Sequence, residues 1–187
     1  MSDINFLKDY FNNLKKLIDN EKYFENLVKV KDILKKTHSE GKKTMIFGNG
    51  GSAAIASHFS VDLTKNAKVR CTNYNESDLL TCFSNDYGYE RWVEKALSLY
   101  AERQDRVIFI SVSGKSQNLL NGIDYANYMN IDTSSITGSS INNPLKQKSK
   151  NYLWVNCKAY NIVESVHTIW ITLIIDLIIG SPEYEVN

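Results

Sequence analysis

Proline is scarce in this 187-residue sequence, with only two, and the three cysteines, Cys71, Cys82 and Cys157, are an odd number at wide spacings. Such cysteines build neither a disulfide framework nor a CxxC metal site, and they point to a reducing, cytoplasmic setting. A surplus of charge is missing too: 22 basic residues against 21 acidic ones leave a net charge of +1, so no basic patch favours nucleic acid. The start, "MSDINFLKDYF", places acidic residues early and lacks an apolar h-region, so no secretory signal is expected. The most apolar run, Ile169 to Gly180, is too short to span a bilayer and is interrupted by Asp176. It is expected in a core helix or an oligomer seam rather than a membrane. Internal repeats and linkers are likewise missing, and the length suits one domain, 1–187, with N-terminal helices over 1–40 and a binding core over 41–187.

What is present is an alternation. Leu7, Tyr10, Phe11, Leu14 and Leu17 recur at helical spacing, and Phe24, Leu27, Val28, Val30, Ile33 and Leu34 repeat the pattern. Extended runs follow at Thr44–Phe47, at "VRCTNY" (69–74), at Arg106–Val112, at "DTSSIT" (132–137) and at "NYLWVNC" (151–157). Helical stretches separate them, over about 52–65, 89–103, 116–129 and 162–179. Strands alternating with helices imply βαβ units, hence a three-layer α/β fold with a parallel sheet covered on both faces. Ligands of such open sheets bind beyond the carboxyl ends of the strands.

Two loops at such ends stand out. Gly48-Asn49-Gly50-Gly51-Ser52 follows a strand and opens a helix, where free backbone N–H groups and the helix dipole attract an anion. It matches neither the Walker pattern nor a full dinucleotide fingerprint, and taken alone it is ordinary turn chemistry. The second loop, "SVSGKSQN" (111–118), offers Ser111, Ser113 and Ser116 as hydroxyls and Lys115 as a cation, although a serine-rich helix N-cap is its plainer reading. Two such loops on one sheet edge converge on one anionic ligand.

With these residues in view the chain resembles the SIS (sugar isomerase) domain proteins of the sedoheptulose-7-phosphate isomerase, or phosphoheptose isomerase, family. The resemblance runs from about residue 41 to 175. It rests on "GNGGSAAIASHFSVDLT", "SNDYGYE" (84–90), "ISVSGKSQN" and "IVESVH" (162–167). It implies a flavodoxin-like fold, a homotetramer with sites between subunits, and a phosphorylated sugar as substrate. Carried over residue by residue, it implies that Gly50, Gly51, Ser52, Ser111, Ser113 and Ser116 hold the sugar phosphate, and that Asn49 and Asp86 contact sugar hydroxyls. His58 and Asp62 match the family's metal ligand and catalytic carboxylate. Glu164 stands where the family has a glutamine, and Thr172 where it has a later acid/base histidine; His167 matches an additional histidine of that helix. Val112 replaces a threonine and Asn66 an arginine.

An aldose–ketose isomerase needs a base near the carbon and an acid or metal at the oxygens. His58 and Asp62 lie at i and i+4, Glu164 and His167 at i and i+3, each pair on one helical face. The four fit a single zinc site, with one ion per site. Alternatively Asp62 or Glu164 is the base and a histidine the acid, with no metal. The blander reading makes His58 and His167 packed core histidines. The expected function is isomerisation of a sugar phosphate, sedoheptulose 7-phosphate to D-glycero-D-manno-heptose 7-phosphate. The alternatives are an isomerase for another sugar phosphate and a non-catalytic SIS module that binds a sugar phosphate or a partner protein.

Overall fold

The structure is a computed structural model and describes residues 2–185. Helices α1 (Asp3–Ile18) and α2 (Phe24–Ser39) lead into β1 (Thr44–Phe47), and from there strands and helices alternate: α3 (Gly51–Lys65), β2 (Cys71–Asn73), α4 (Ser77–Tyr87), α5 (Trp92–Tyr100), β3 (Arg106–Ser111), α6 (Gln117–Tyr128), β4 (Asp132–Thr137), α7 (Pro144–Lys148), β5 (Asn151–Trp154) and α8 (Tyr160–Ile179). The five strands are all parallel in the order β2-β1-β3-β4-β5. This is the flavodoxin-like order that the sequence leads one to expect.

The sheet divides the core in two because successive strand residues face opposite sides. Ile46, Ile108 and Ile110 point into one apolar layer with Phe59 of α3, Leu34 of α2 and Val163, Trp170 and Ile174 of α8. Met45, Phe47, Val107 and Phe109 point into the other, against Trp92 and Val93 of α5 and Leu119 and Ile123 of α6. Strands β1 and β3 are buried along their whole length, as continuous apolar runs of a two-sided sheet must be.

Helix α8 carries most of the apolar run. With 20 residues and a mean hydropathy of 1.9 it is long and apolar enough to cross a membrane by length and composition. One face of it packs: Val163, Val166, Trp170, Ile171, Ile174 and Ile175 are buried against the sheet layer, while Leu173 and Leu177 are exposed. Helix α1 differs, having no buried residue at all, while Ile4, Phe6, Leu7 and Phe11 are exposed.

The helix expected over 89–103 is shorter. A separate helix, α4, precedes it, and a 3-10 turn at Tyr89–Arg91 joins the two. The reason is Gly88, whose φ of +86° ends α4 and redirects the chain. The short α7, started by Pro144 behind an Asn143 cap, has too few residues to display a period. Strand β2 is three residues and β5 four, each shorter than its apolar run.

Candidate functional site

Strands β1 and β3 are neighbours paired in register, Phe47 opposite Phe109, yet their following helices pass to opposite faces of the sheet. The loops after them therefore diverge around a crevice at the switch point of the sheet. In the first loop, a Cβ on Gly48 would lie 2.5 Å from the Ser52 carbonyl oxygen, so no side chain fits there. Gly50 takes φ +54° and opens α3 without a side-chain cap. Ala53 and Ala54 N–H groups donate to the Gly50 carbonyl, which leaves those of Gly51 and Ser52 without a partner among the described residues. Unpaired N–H groups at the positive end of a helix are an anion site in waiting.

The second loop is arranged around its serines. Ser111, buried at the end of β3, accepts a hydrogen bond from the Gly114 N–H at 3.0 Å, and Ser113 accepts from the Lys115 N–H at 3.2 Å. Ser116 occupies the N-cap of α6, but its hydroxyl caps nothing. The plainer reading of this serine as a helix cap thus gives way to a free hydroxyl beside free backbone donors.

Asn49 ties the two loops together. Its side-chain amide exchanges two hydrogen bonds of 2.9 Å with Asn118 of α6, and its Oδ1 also accepts from the Tyr89 hydroxyl at 3.0 Å. The segment "SNDYGYE" thus reaches the crevice through Tyr89. Asp86, of the same segment, is exposed on α4 and accepts from Asn85 and from the Cys82 thiol instead.

The titratable residues lie in three places. Glu164 of α8 stands against the first turn of α3, where a Cβ on Gly51 would be 2.7 Å from its carboxyl carbon. His58 and Asp62 are neighbours on α3, with Nε2 3.0 Å from Oδ2, and the His58 side chain is 57% exposed. They begin about 10 Å along the helix from Gly51, at 1.5 Å per residue. His167 is fully buried, with its ring stacked on Trp170 at 6.0 Å. Neither ring nitrogen makes a hydrogen bond of good geometry, although the Thr137 backbone at the end of β4 is close by, and burial pushes its pKa down to about 4.

Residues 7–138 match the family model of the SIS domain. Over 162 residues the chain is 32% identical to the probable phosphoheptose isomerase of Thermoplasma acidophilum, an alignment covering 82% of this chain and 87% of that one. This chain belongs to the phosphoheptose isomerases of the SIS domain family. It is also 28% identical over 181 residues to the phosphoheptose isomerase of Fusobacterium nucleatum, covering 94% and 93% of the two chains. With the phosphoheptose isomerase of Aliarcobacter butzleri it shares 35% identity over 120 residues, or 61% of this chain and 64% of that one. Among solved structures, the phosphoheptose isomerase of Neisseria gonorrhoeae has the same fold, with a TM-score of 0.86 at 22% identity over 96% of this chain and all of that one.

Within one copy of this SIS chain the expected zinc ligands do not gather. Glu164 is at the head of α3, His58 and Asp62 are further along it, and His167 is sealed in the core. Among the described residues no group of three His, Cys, Asp or Glu side chains is placed to hold a metal ion. The donor set of a single chain does not fit zinc, which takes four ligands in a closed site or three beside an open position. His167, three residues on from Glu164 along α8, is buried beside Trp170 and so is withdrawn from solvent and from the loops. What the sequence reading missed are Asn118 and Tyr89. Both stand in motifs it quoted, but a pairing between residues 69 positions apart leaves no periodic signal.

Proposed function

We propose that this SIS chain is an aldose–ketose isomerase that interconverts sedoheptulose 7-phosphate and D-glycero-D-manno-heptose 7-phosphate. The observation that carries the proposal is a crevice at one switch point, flanked by two helix-opening loops with unpaired N–H groups and by the carboxylate of Glu164. Ser52, Ser111, Ser113 and Ser116 with the N-termini of α3 and α6 hold the phosphate. The reaction moves a proton between C1 and C2 through an enediol. Glu164 is the carboxylate nearest the loops and is assigned as the base. His58 and Asp62 lie further along α3, at a distance on the order of an extended sugar phosphate, so they do not share the C1–C2 step with Glu164 and no acid is assigned to them. No step is assigned to a metal.

The exposed apolar side chains of α1, together with Leu173 and Leu177 of α8, support a homo-oligomer, here proposed to be a tetramer working in the cytoplasm. One observation favours the second reading, a binding module without turnover. Thr172, at the family's acid/base position, turns its hydroxyl back onto the Thr168 and Ile169 carbonyl oxygens of its own helix.

The test is purified protein with sedoheptulose 7-phosphate, with aldose formation followed by NMR, in the presence of zinc and after chelation. Turnover supports the isomerase. Turnover that depends on zinc places a metal site between chains, and sugar-phosphate binding without turnover selects the binding module.

A further inference from the structure

An amide side chain has two N–H donors and an oxygen that accepts two hydrogen bonds, and in Asn49 all but one of these are taken. Its Oδ1 accepts from Asn118 Nδ2 and from the Tyr89 hydroxyl, and its Nδ2 donates to Asn118 Oδ1. One N–H remains, in the loop between Gly48 and Gly50. Asn49 therefore offers the crevice a donor and no acceptor. Asn118 is 2% exposed and has no route to a substrate of its own. One turn further along α6, Asn121 donates to the Glu90 carbonyl at 2.8 Å and so anchors the 3-10 turn that delivers Tyr89.

Resting on the isomerase reading, the geometry points to Asn118 and Tyr89 as positioning residues that fix Asn49 as a hydrogen-bond donor to the substrate oxygen that gains charge in the enediol step. When the base removes the C1 proton, the electron pair forms the C1–C2 double bond and the C2 carbonyl electrons move onto oxygen. A donor fixed before the reaction stabilises that oxygen more than it does the ground-state carbonyl. An amide free to rotate would also present its own oxygen, which repels the same charge. The pair from α6 and the 3-10 turn removes that alternative.

The experiment compares Tyr89→Phe and Asn118→Asp, each alone and combined with Asn49→Ala. Turnover of sedoheptulose 7-phosphate is one readout. Binding of a phosphorylated sugar hydroxamate, whose anionic oxygen imitates the enediolate, is the other, with inorganic phosphate as reference. Tyr89 is 55% exposed, so loss of its hydroxyl leaves the fold intact. Each single variant is expected to lower kcat and hydroxamate affinity about tenfold while KM and phosphate affinity stay within about twofold. On the Asn49→Ala background neither adds a further loss. Losses that multiply on that background, or a raised KM at unchanged kcat, overturn the positioning role alone. A parent protein that binds phosphate but neither turns over the sugar nor binds the hydroxamate overturns the isomerase reading, and this assignment with it.

Discussion

The carboxylate of Glu164 fills the space that a methyl group on Gly51 would need, where the second turn of α8 meets the head of α3. Gly51→Ala is expected to push Glu164 out of the crevice, and Glu164→Gln to remove its charge in place. General base catalysis is worth about 100-fold or more, so Glu164→Gln should lower kcat by at least that factor with KM changed only a few-fold. Steady-state kinetics decide it. A kcat within threefold of the parent would move the base to Asp62, and Asp62→Asn would then be the variant that stops turnover.

The hydroxyl of Ser116 provides a second test. Removing a serine that caps a helix costs about 1 kcal/mol, but this one makes no cap bond. Ser116→Ala should therefore leave stability to urea within about 0.5 kcal/mol while sugar-phosphate affinity falls about tenfold. A clear drop in stability with unchanged affinity would return Ser116 to the role of a cap.

His167 makes stability depend on pH. Its pKa in the folded protein is about 4, against an ordinary 6.5. Above pH 6.5 both the folded and the unfolded chain hold it neutral, and the burial costs no proton. Between pH 6.5 and 4 the unfolded chain binds a proton that the folded one refuses, so stability falls as pH falls, by about 3 kcal/mol across the window. Urea denaturation at pH 7.5 and 4.5 measures the loss. His167→Leu should flatten the histidine part of the slope, and an unchanged slope would place the charge effect elsewhere.

A fourth prediction concerns the opposite end of the sheet. Asp105 is 1% exposed and accepts from the backbone N–H groups of Lys43 and Glu102 and from the Lys43 ammonium, binding the entries of β1 and β3 together. Asp105→Ala leaves those donors unpaired in a largely buried place and should cost about 3 kcal/mol. Because the loops leave the other ends of the same strands, kcat of the folded fraction should not change. A kcat loss that exceeds the loss of folded protein would show that the two ends are coupled.

The parallel sheet was legible because β1 and β3 are short runs with no polar interruption, each closed by a glycine or serine loop. The two loops proposed to hold the phosphate were legible as loops for the same reason, since turns written in Gly and Ser betray themselves one strand at a time. The chemistry beside it was less so. Helical spacing places His58 with Asp62 correctly, because partners at i and i+4 depend on one helix alone. The same arithmetic misplaces His167, whose surroundings are set by Trp170 and the end of β4, and a spacing rule carries no information about which way a helix is turned. The contact between Glu164 and Gly51 spans 113 positions by the sequence numbering and depends on two helices meeting across a sheet layer.

The buried strands and the exposed helix faces divide the labour in a way that bears on how such a protein diverges. Phe47 and Phe109 are buried together in one apolar layer and tolerate little change, so the loops that leave β1 and β3 keep their place. Asp62, Glu164 and Thr172 stand on partly open helix surfaces, where exchanging one polar residue for another disturbs almost no packing. Each of the three differs from the residue of the isomerases that this sequence resembles. On a scaffold built this way the polar residues of the helix surfaces are exchanged without moving the strand ends, so the position of the loops and the chemistry beside them are separable.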